Sequence, residues 1–216
     1  MGRAIAARIA QQADLELAGI WTRGGKLDDV VAAADVVIDF SLPDGTVEVF
    51  AAAVRHEKPL VCGVSGLDNS QTALLEQAAT RIPIVYDRNM SLGIAVLEHS
   101  VREAAASLGA DFDIEISETH HIHKKDAPSG TALKLGEAAA AARGEDGTGT
   151  VRFEVERRGE VPGDHEVVMY SPTERLTFAH SVTTRQVFAD GALRAARWVV
   201  GQAAGRYAMR DVLFGK

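Results

Sequence analysis

The sequence predicts a two-domain α/β chain in which a doubly wound parallel sheet is followed by a second, α+β domain. Three observations predict it. Through the first half, short β-rich runs alternate with Ala-rich segments of 3.6-residue period, the pattern of strand-helix-strand units with parallel strands. Through the second half, three β-rich runs follow one another without intervening helix, which suits an antiparallel or mixed sheet. At 216 residues the chain exceeds the roughly 100 to 150 residues of a typical domain, so two cores can form.

Leu15 to Ile20, Val36 to Phe40, Leu60 to Val64 and Ile82 to Tyr86 are the expected strands of the first domain. Gly2 to Ala10, Gly45 to Arg55 and Asn69 to Thr80 carry helical periodicity, with Asp44 and Asp68 placed as N-caps. Open parallel sheets bind ligands beyond the carboxyl ends of their strands. Those ends, Trp21 to Gly25, Ser41 to Pro43, Gly63 to Gly66 and Asp87 to Ser91, are rich in Gly, Ser, Asn or Asp and would line one crevice. A helix from Leu92 to Leu108, a strand from Phe112 to Glu118 and a helix from Gly130 to Ala142 open the second half. The polar, glycine-rich stretch Gly144 to Thr150 reads as a surface loop, followed by strands near Val151 to Glu156, Glu166 to Tyr170 and Leu176 to Val182. Ala192 to Val200 is a further helix, and Tyr207 to Phe214 returns to pack on the first domain. The expected division is residues 1–91 with about 201–216, and residues 92–200.

Composition narrows the functional classes. An apolar fraction of 46% with 25% charged residues is that of a folded globular protein, and a net charge of −7 argues against bulk attraction to nucleic acid or anionic membrane. Any anion site must be local. The single cysteine, Cys62, lies in an apolar run and has no intrachain partner, as expected of a buried thiol in a reducing compartment. With no run near the ~18 apolar residues of a membrane helix and no signal-type core after Met1, the expected location is cytoplasmic.

The chemistry concentrates in Glu118-Thr119-His120-His121-Ile122-His123-Lys124-Lys125-Asp126-Ala127-Pro128-Ser129-Gly130-Thr131, where a strand gives way to a helix. Three histidines and two lysines in an acidic protein make a local positive field, and the helix that opens after Pro128 offers N–H groups and a dipole to an anion. Histidine can donate a proton near neutral pH, and a neighbouring lysine can hold a carboxylate. Plainer roles exist, since Ser or Thr before a helix is usually a cap and exposed His and Lys are usually solvated surface. His121 and His123 would share a strand face as zinc ligands. No Cys pair, H-E-x-x-H or third ligand accompanies them, so no metal is expected.

The run from Glu118 to Ala132 resembles the signature of the dihydrodipicolinate reductase family. Other segments agree in order: Asp39-Phe40-Ser41-Leu42-Pro43-Asp44-Gly45-Thr46, Cys62-Gly63-Val64-Ser65-Gly66, Asn89-Met90-Ser91-Leu92-Gly93, Gly163-Asp164-His165 and the run Gly191 to Trp198. The resemblance implies a Rossmann-like first domain and NADH- or NADPH-dependent reduction of a small cyclic dicarboxylate to tetrahydrodipicolinate, on the route to diaminopimelate and lysine. It implies His120 as proton donor, Lys124 as second catalytic cation, His121 as a substrate contact, and Gly130 and Thr131 as carboxylate-binding residues. For the cofactor it points to Arg23, Gly63, Val64, Ser65, Asp87, Arg88, Asn89 and Met90; Thr22 stands where an acidic residue often precedes the arginine, so Arg23 could meet a 2′-phosphate. It also implies a homotetramer built through the second domain's sheet.

Family members begin with a strand and a G-x-x-G-x-M-G loop, and Met1-Gly2 corresponds to the end of that loop. The expectation is that a central strand and most of the pyrophosphate cradle are missing, so that the chain as given binds dinucleotide poorly. An internal start, favoured by the intact downstream segment, and a shortened protein are the two explanations. The functional alternative is a catalytically impaired dicarboxylate-binding paralogue.

Overall fold

A computed structural model describes residues 1–215. In chain order its elements are α1 (Gly2–Ile9), α2 (Leu27–Ala33), β1 (Val37–Asp39), α3 (Pro43–Arg55), β2 (Leu60–Cys62), α4 (Asn69–Ala79), β3 (Pro83–Tyr86) and α5 (Leu92–Leu108). After a 3-10 turn (Gly109–Asp111) come β4 (Asp113–His120), α6 (Gly130–Ala142), β5 (Arg152–Arg157), β6 (Asp164–Tyr170), β7 (Arg175–Ser181), α7 (Gln186–Val199), β8 (Gly205–Tyr207) and α8 (Met209–Phe214). They form two units, Met1–Leu92 with the residues from Gln186 onward, and Gly93–Arg185. Among the described residues no helix is long and apolar enough to cross a membrane.

The first unit is built on a parallel sheet of order β1-β2-β3-β8. Strand β2 is buried along its length, the expected state of a parallel strand covered on both faces. Its Leu60 and Cys62 pack with Val49, Phe50 and Ala53 of α3 and with Leu75, Ala78 and Ala79 of α4. Burial first, and the nearby Asp39 carboxylate second, push the Cys62 thiol up to about 12. Helix α4 starts where Asp68 predicts: Asp68 Oδ1 accepts from Gln71 N at 2.8 Å and Gln71 Oε1 from Asp68 N at 3.0 Å. Such a reciprocal cap is worth about 1 kcal/mol.

Three expectations are corrected here, and one helix is new. Leu15 to Ile20 is not a strand: the ladder contains no neighbour for it, and Leu17 and Ile20 are exposed. A β-rich run becomes a strand only when another strand takes its N–H and C=O groups. Asp44 does not cap α3; Leu42 is the N-cap, Pro43 takes the first turn with its fixed φ, and Asp44 lies inside that turn, where its charge meets the positive helix end. Helix α2, too short to display two turns of periodicity, was not expected. Finally, α7 belongs with the first unit, whose second segment therefore begins at Gln186 and not near 201. Its face of Ala189, Ala192, Leu193, Ala196 and Val199 is buried, and it contacts β1, β2 and β3.

The second unit is a mixed sheet of order β5-β4-β6-β7, with β4 parallel to β5 and antiparallel to β6. Alternate residues of β4 turn inward: Ile114 and Ile116 join Val167 and Met169 of β6 against Ile94, Leu97 and Val101 of α5 and Ala132, Leu135 and Ala139 of α6. The same alternation carries Glu118 and His120 inward at the strand's end, so the apolar core gives way to a buried polar cluster.

Candidate active site

In the second unit, four elements converge on the Glu118 carboxylate. Its Oε1 accepts from Ser129 N at 2.9 Å and lies 3.2 Å from Arg157 Nη2; its Oε2 lies 3.3 Å from His120 Nδ1 and 3.8 Å from His165 Nε2. The registers explain the convergence, since β4 pairs Glu118 with His165 of β6 and His120 with Arg157 of β5. Burial works against ionisation of Glu118, but the facing His120 ring and the contacts with Ser129 outweigh it and hold the carboxyl down at about 2. His165 is pushed down to about 4, first by burial and then by the neighbouring His120, so it is neutral at pH 7. The two rings meet edge to face with centroids 5.1 Å apart.

Both shifts have one sign for stability. An unfolded His165 protonates near 6.5 and an unfolded Glu118 near 4.5, whereas the folded groups wait until about 4 and about 2. The unfolded chain therefore takes up protons first, so these two contributions are present at neutral pH and are lost on acidification, His165's between 6.5 and about 4 and Glu118's between 4.5 and about 2.

Ser129 is the N-cap of α6, its Oγ accepting from Ala132 N at 3.1 Å. Gly130 and Thr131 thus occupy the first helical turn, where backbone dipoles favour an anion. Lys124 is half-buried, with Nζ 2.7 Å from Asp126 Oδ2. Arg157 ties this loop to the sheet: Nε donates to Lys124 O at 3.2 Å and Nη2 donates to Asp126 O. His121 lies 3.4 Å from Arg185, and His123 is exposed beside Glu160. Partial burial, then the Arg185 charge, lowers the His121 pKa. Strand β4 ends at His120, so His121 and His123 lie in the following loop and do not share a strand face. Among the described residues, the three side chains that bring potential ligand atoms within 4.8 Å of one another are instead Glu118, His120 and His165.

The sequence motifs contain Glu118 and His165 yet assign them no role, and Arg157 lies outside the motifs. A strand signal was present for the first: Glu118 and His120, two residues apart, had to share a face.

In the first unit, the expected cofactor residues lie beyond the carboxyl ends of β2 and β3, except Arg23, which lies in an exposed turn. Gly63, Ser65, Arg88 and Asn89 are at least partly accessible. Val64, Asp87 and Met90 are buried, so their contribution to a ligand is through backbone or through support. Asp87 shows the support: Oδ1 accepts from Asn89 N and Oδ2 from Met209 N, each at 3.2 Å. A Cβ on Gly63 would stand 2.4 Å from the Phe40 ring, so the turn out of β2 has no room for a side chain. Adjacent parallel strands ending in one such close-packed turn and one carboxylate-braced turn fit a dinucleotide laid across their ends.

Residues 1–90 match the family described as "Dihydrodipicolinate reductase, N-terminus", and residues 93–213 match "Dihydrodipicolinate reductase, C-terminus". The chain belongs to the dihydrodipicolinate reductase family. It is 44% identical to the 4-hydroxy-tetrahydrodipicolinate reductase of Zymomonas mobilis subsp. mobilis, over 99% of this chain and 92% of that one. To its counterpart from Wolinella succinogenes it is 47% identical, over 83% and 76%. Among solved structures, a dipicolinate-bound dihydrodipicolinate reductase from Paenisporosarcina sp. TG-14 matches with TM-score 0.79 at 19% identity, covering 96% and 93% of the two chains. A myo-inositol dehydrogenase from Corynebacterium glutamicum matches with TM-score 0.65 at 14% identity over 94% and 86%. At such identities these last two likenesses concern the fold alone.

Proposed function

We propose that this chain is the NAD(P)H-dependent reductase that converts 4-hydroxy-tetrahydrodipicolinate to tetrahydrodipicolinate in the diaminopimelate and lysine route. The observation that carries the reading is a buried histidine at a strand end, within one segment that also supplies a lysine and an anion-favouring helix start, in a chain 44% identical to such a reductase over nearly its whole length. When bound, the nicotinamide supplies the hydride. Arg23, the Gly63 to Ser65 turn and the Asp87 to Met90 turn would hold that cofactor.

The protein's own part is to bind a dianion and deliver a proton. Gly130 and Thr131, at the positive end of α6, hold one carboxylate, and His121 contacts the substrate. Lys124 exchanges Asp126 for the incoming anion and steadies negative charge as it develops. His120 gives its proton to the substrate as the hydride adds, leaving a neutral ring. Two mobile substrate carboxylates thus meet fixed dipoles and a cation, which cost little reorganisation during the reaction.

Steady-state oxidation of NADH and NADPH with enzymatically generated substrate tests this reading: substrate-dependent turnover with either cofactor would support it and would overturn the expectation of poor dinucleotide binding. Binding of pyridine-2,6-dicarboxylate without turnover would favour the impaired binding paralogue. Thr131→Val is expected to raise KM for the dicarboxylate about 10-fold with kcat within about 3-fold, because a lost carboxylate hydrogen bond of about 1.5 kcal/mol weakens ground and transition states alike. An unchanged KM would remove Thr131 from the anion site.

A further inference from the structure

The assignment of His120 as proton donor leaves Glu118, His165 and Gly163 without a role. They are not generic core residues. Glu118 is 3% exposed and His120 7%, and a carboxylate sealed so deeply is costly unless its partners require it. One oxygen, Oε1, is already satisfied by Ser129 N and Arg157. The other, Oε2, has no hydrogen-bond partner in strict geometry, and neither has His120 Nδ1, yet the two atoms lie 3.3 Å apart. A small rotation of the imidazole closes that contact; His165 Nε2 also faces Oε2, but from 3.8 Å, and lies nearer the Ser129 hydroxyl, at 3.3 Å.

Gly163 bears on the opposite ring nitrogen. A Cβ there would come within 3.0 Å of His120 Nε2, and the residue's φ of +152° belongs to a region L side chains rarely adopt. The bare α-carbon keeps the Nε2 side of the ring uncovered by side chain, while the Nδ1 side faces a buried acceptor.

We propose that Glu118 is the positioning residue for the proton donor: it holds His120 with hydrogen on Nδ1, so that Nε2 is the nitrogen that delivers the proton, with His165 bracing the ring edge to face and Gly163 keeping Nε2 clear. The inference rests on the reading of His120 as donor. The proton balance is closed. The imidazolium carries hydrogen on both nitrogens; the Nε2 proton passes to the substrate, and the neutral ring that remains is the tautomer with hydrogen on Nδ1, the one a carboxylate acceptor stabilises. Glu118 itself stays ionised throughout. Its deeply lowered pKa is consistent with that, since a carboxyl held at about 2 does not take the histidine proton at neutral pH.

The same three side chains could be imagined as a cation triad. Two contacts argue against it: the Arg157 guanidinium on Glu118 Oε1 repels a metal ion, and the Ser129 hydroxyl lies 3.3 Å from His165 Nε2, already facing the nitrogen a metal would need.

The test joins spectroscopy, which needs no turnover, to kinetics. Nitrogen-15 NMR of the unsubstituted protein should show neutral His120 protonated at Nδ1; protonation at Nε2 would overturn the proposal whatever the activity. Glu118→Gln, nearly isosteric, should perturb that tautomer and lower kcat about 10-fold or more with the dicarboxylate KM within about 3-fold, and Glu118→Asp should recover part of the loss. Unchanged kcat and tautomer in Glu118→Gln would defeat it. If His120→Gln leaves turnover intact, the donor reading fails instead, and the tautomer result still stands or falls separately. Zinc bound tightly by the unsubstituted protein and lost in Glu118→Gln would replace the proposal with a metal site.

Discussion

His120→Gln is expected to lower kcat by about 10² to 10⁴, the range that general acid catalysis contributes, while pyridine-2,6-dicarboxylate binds within about 3-fold of its parent affinity. The asymmetry follows from timing: a proton delivered as the bond forms stabilises the transition state and hardly touches the ground state. Glutamine keeps the bulk and a hydrogen-bonding end but cannot give up a proton near neutral pH. The buried setting sharpens the expectation, since water has little access to a side chain 9% exposed and is a poor substitute donor there. Equal kcat in variant and parent would remove His120 from the mechanism, and a large loss of inhibitor binding with intact kcat would recast it as a substrate contact.

The second large effect is expected far from any titrating group. Gly191 lies within α7, and a Cβ there would fall 1.7 Å from the Met90 carbonyl oxygen and 2.8 Å from its carbon. Two terms oppose each other in Gly191→Ala. Alanine is the better helix residue by about 1 kcal/mol. Against it stands a collision with backbone that has no rotamer to yield, and forced overpacking of this kind costs about 1 to 3 kcal/mol or more. The collision wins, and relief requires the Asp87 to Met90 turn to move, the turn Asp87 otherwise fixes from inside. We expect KM for NADH and NADPH to rise about 10-fold or more, as about 1.4 kcal/mol would produce, together with a lower Tm. Unchanged cofactor KM and Tm would show that α7 does not hold the turn.

The sequence made most elements legible because their periodicities were long or sharply capped. α5 and α6 have the bounds their periodicity predicts, and Asp68, read as the N-cap of α4, is one, with Gln71 as its reciprocal partner in the structure. Leu15 to Ile20 failed for a non-local reason, since its composition suits a strand but strand formation depends on a partner. The site shows the same division. His120, Lys124, Gly130 and Thr131 lie within one short segment and could be read together, whereas His165 and Arg157 reach Glu118 only through strand register, which a linear reading does not contain. Asp87 illustrates a different loss: its position after β3 suggested a ligand contact, but which way a carboxylate points is decided by the N–H groups of Asn89 and Met209, the latter more than a hundred residues away.

The lone thiol offers a way to watch the first unit by itself. Cys62 lies on β2 between β1 and β3 and is wholly buried, and its proton is held up to about 12, so a disulfide reagent finds neither access nor thiolate while the sheet is closed. Modification must then wait for the strands to part, and its rate in excess reagent reports how often they do. With one cysteine in the chain, the signal has a single source. Exchange kinetics at Cys62, followed with and without NADPH, would test whether the cofactor binds the parallel sheet, slowed opening being the expected result, with no contribution from the unit that carries His120.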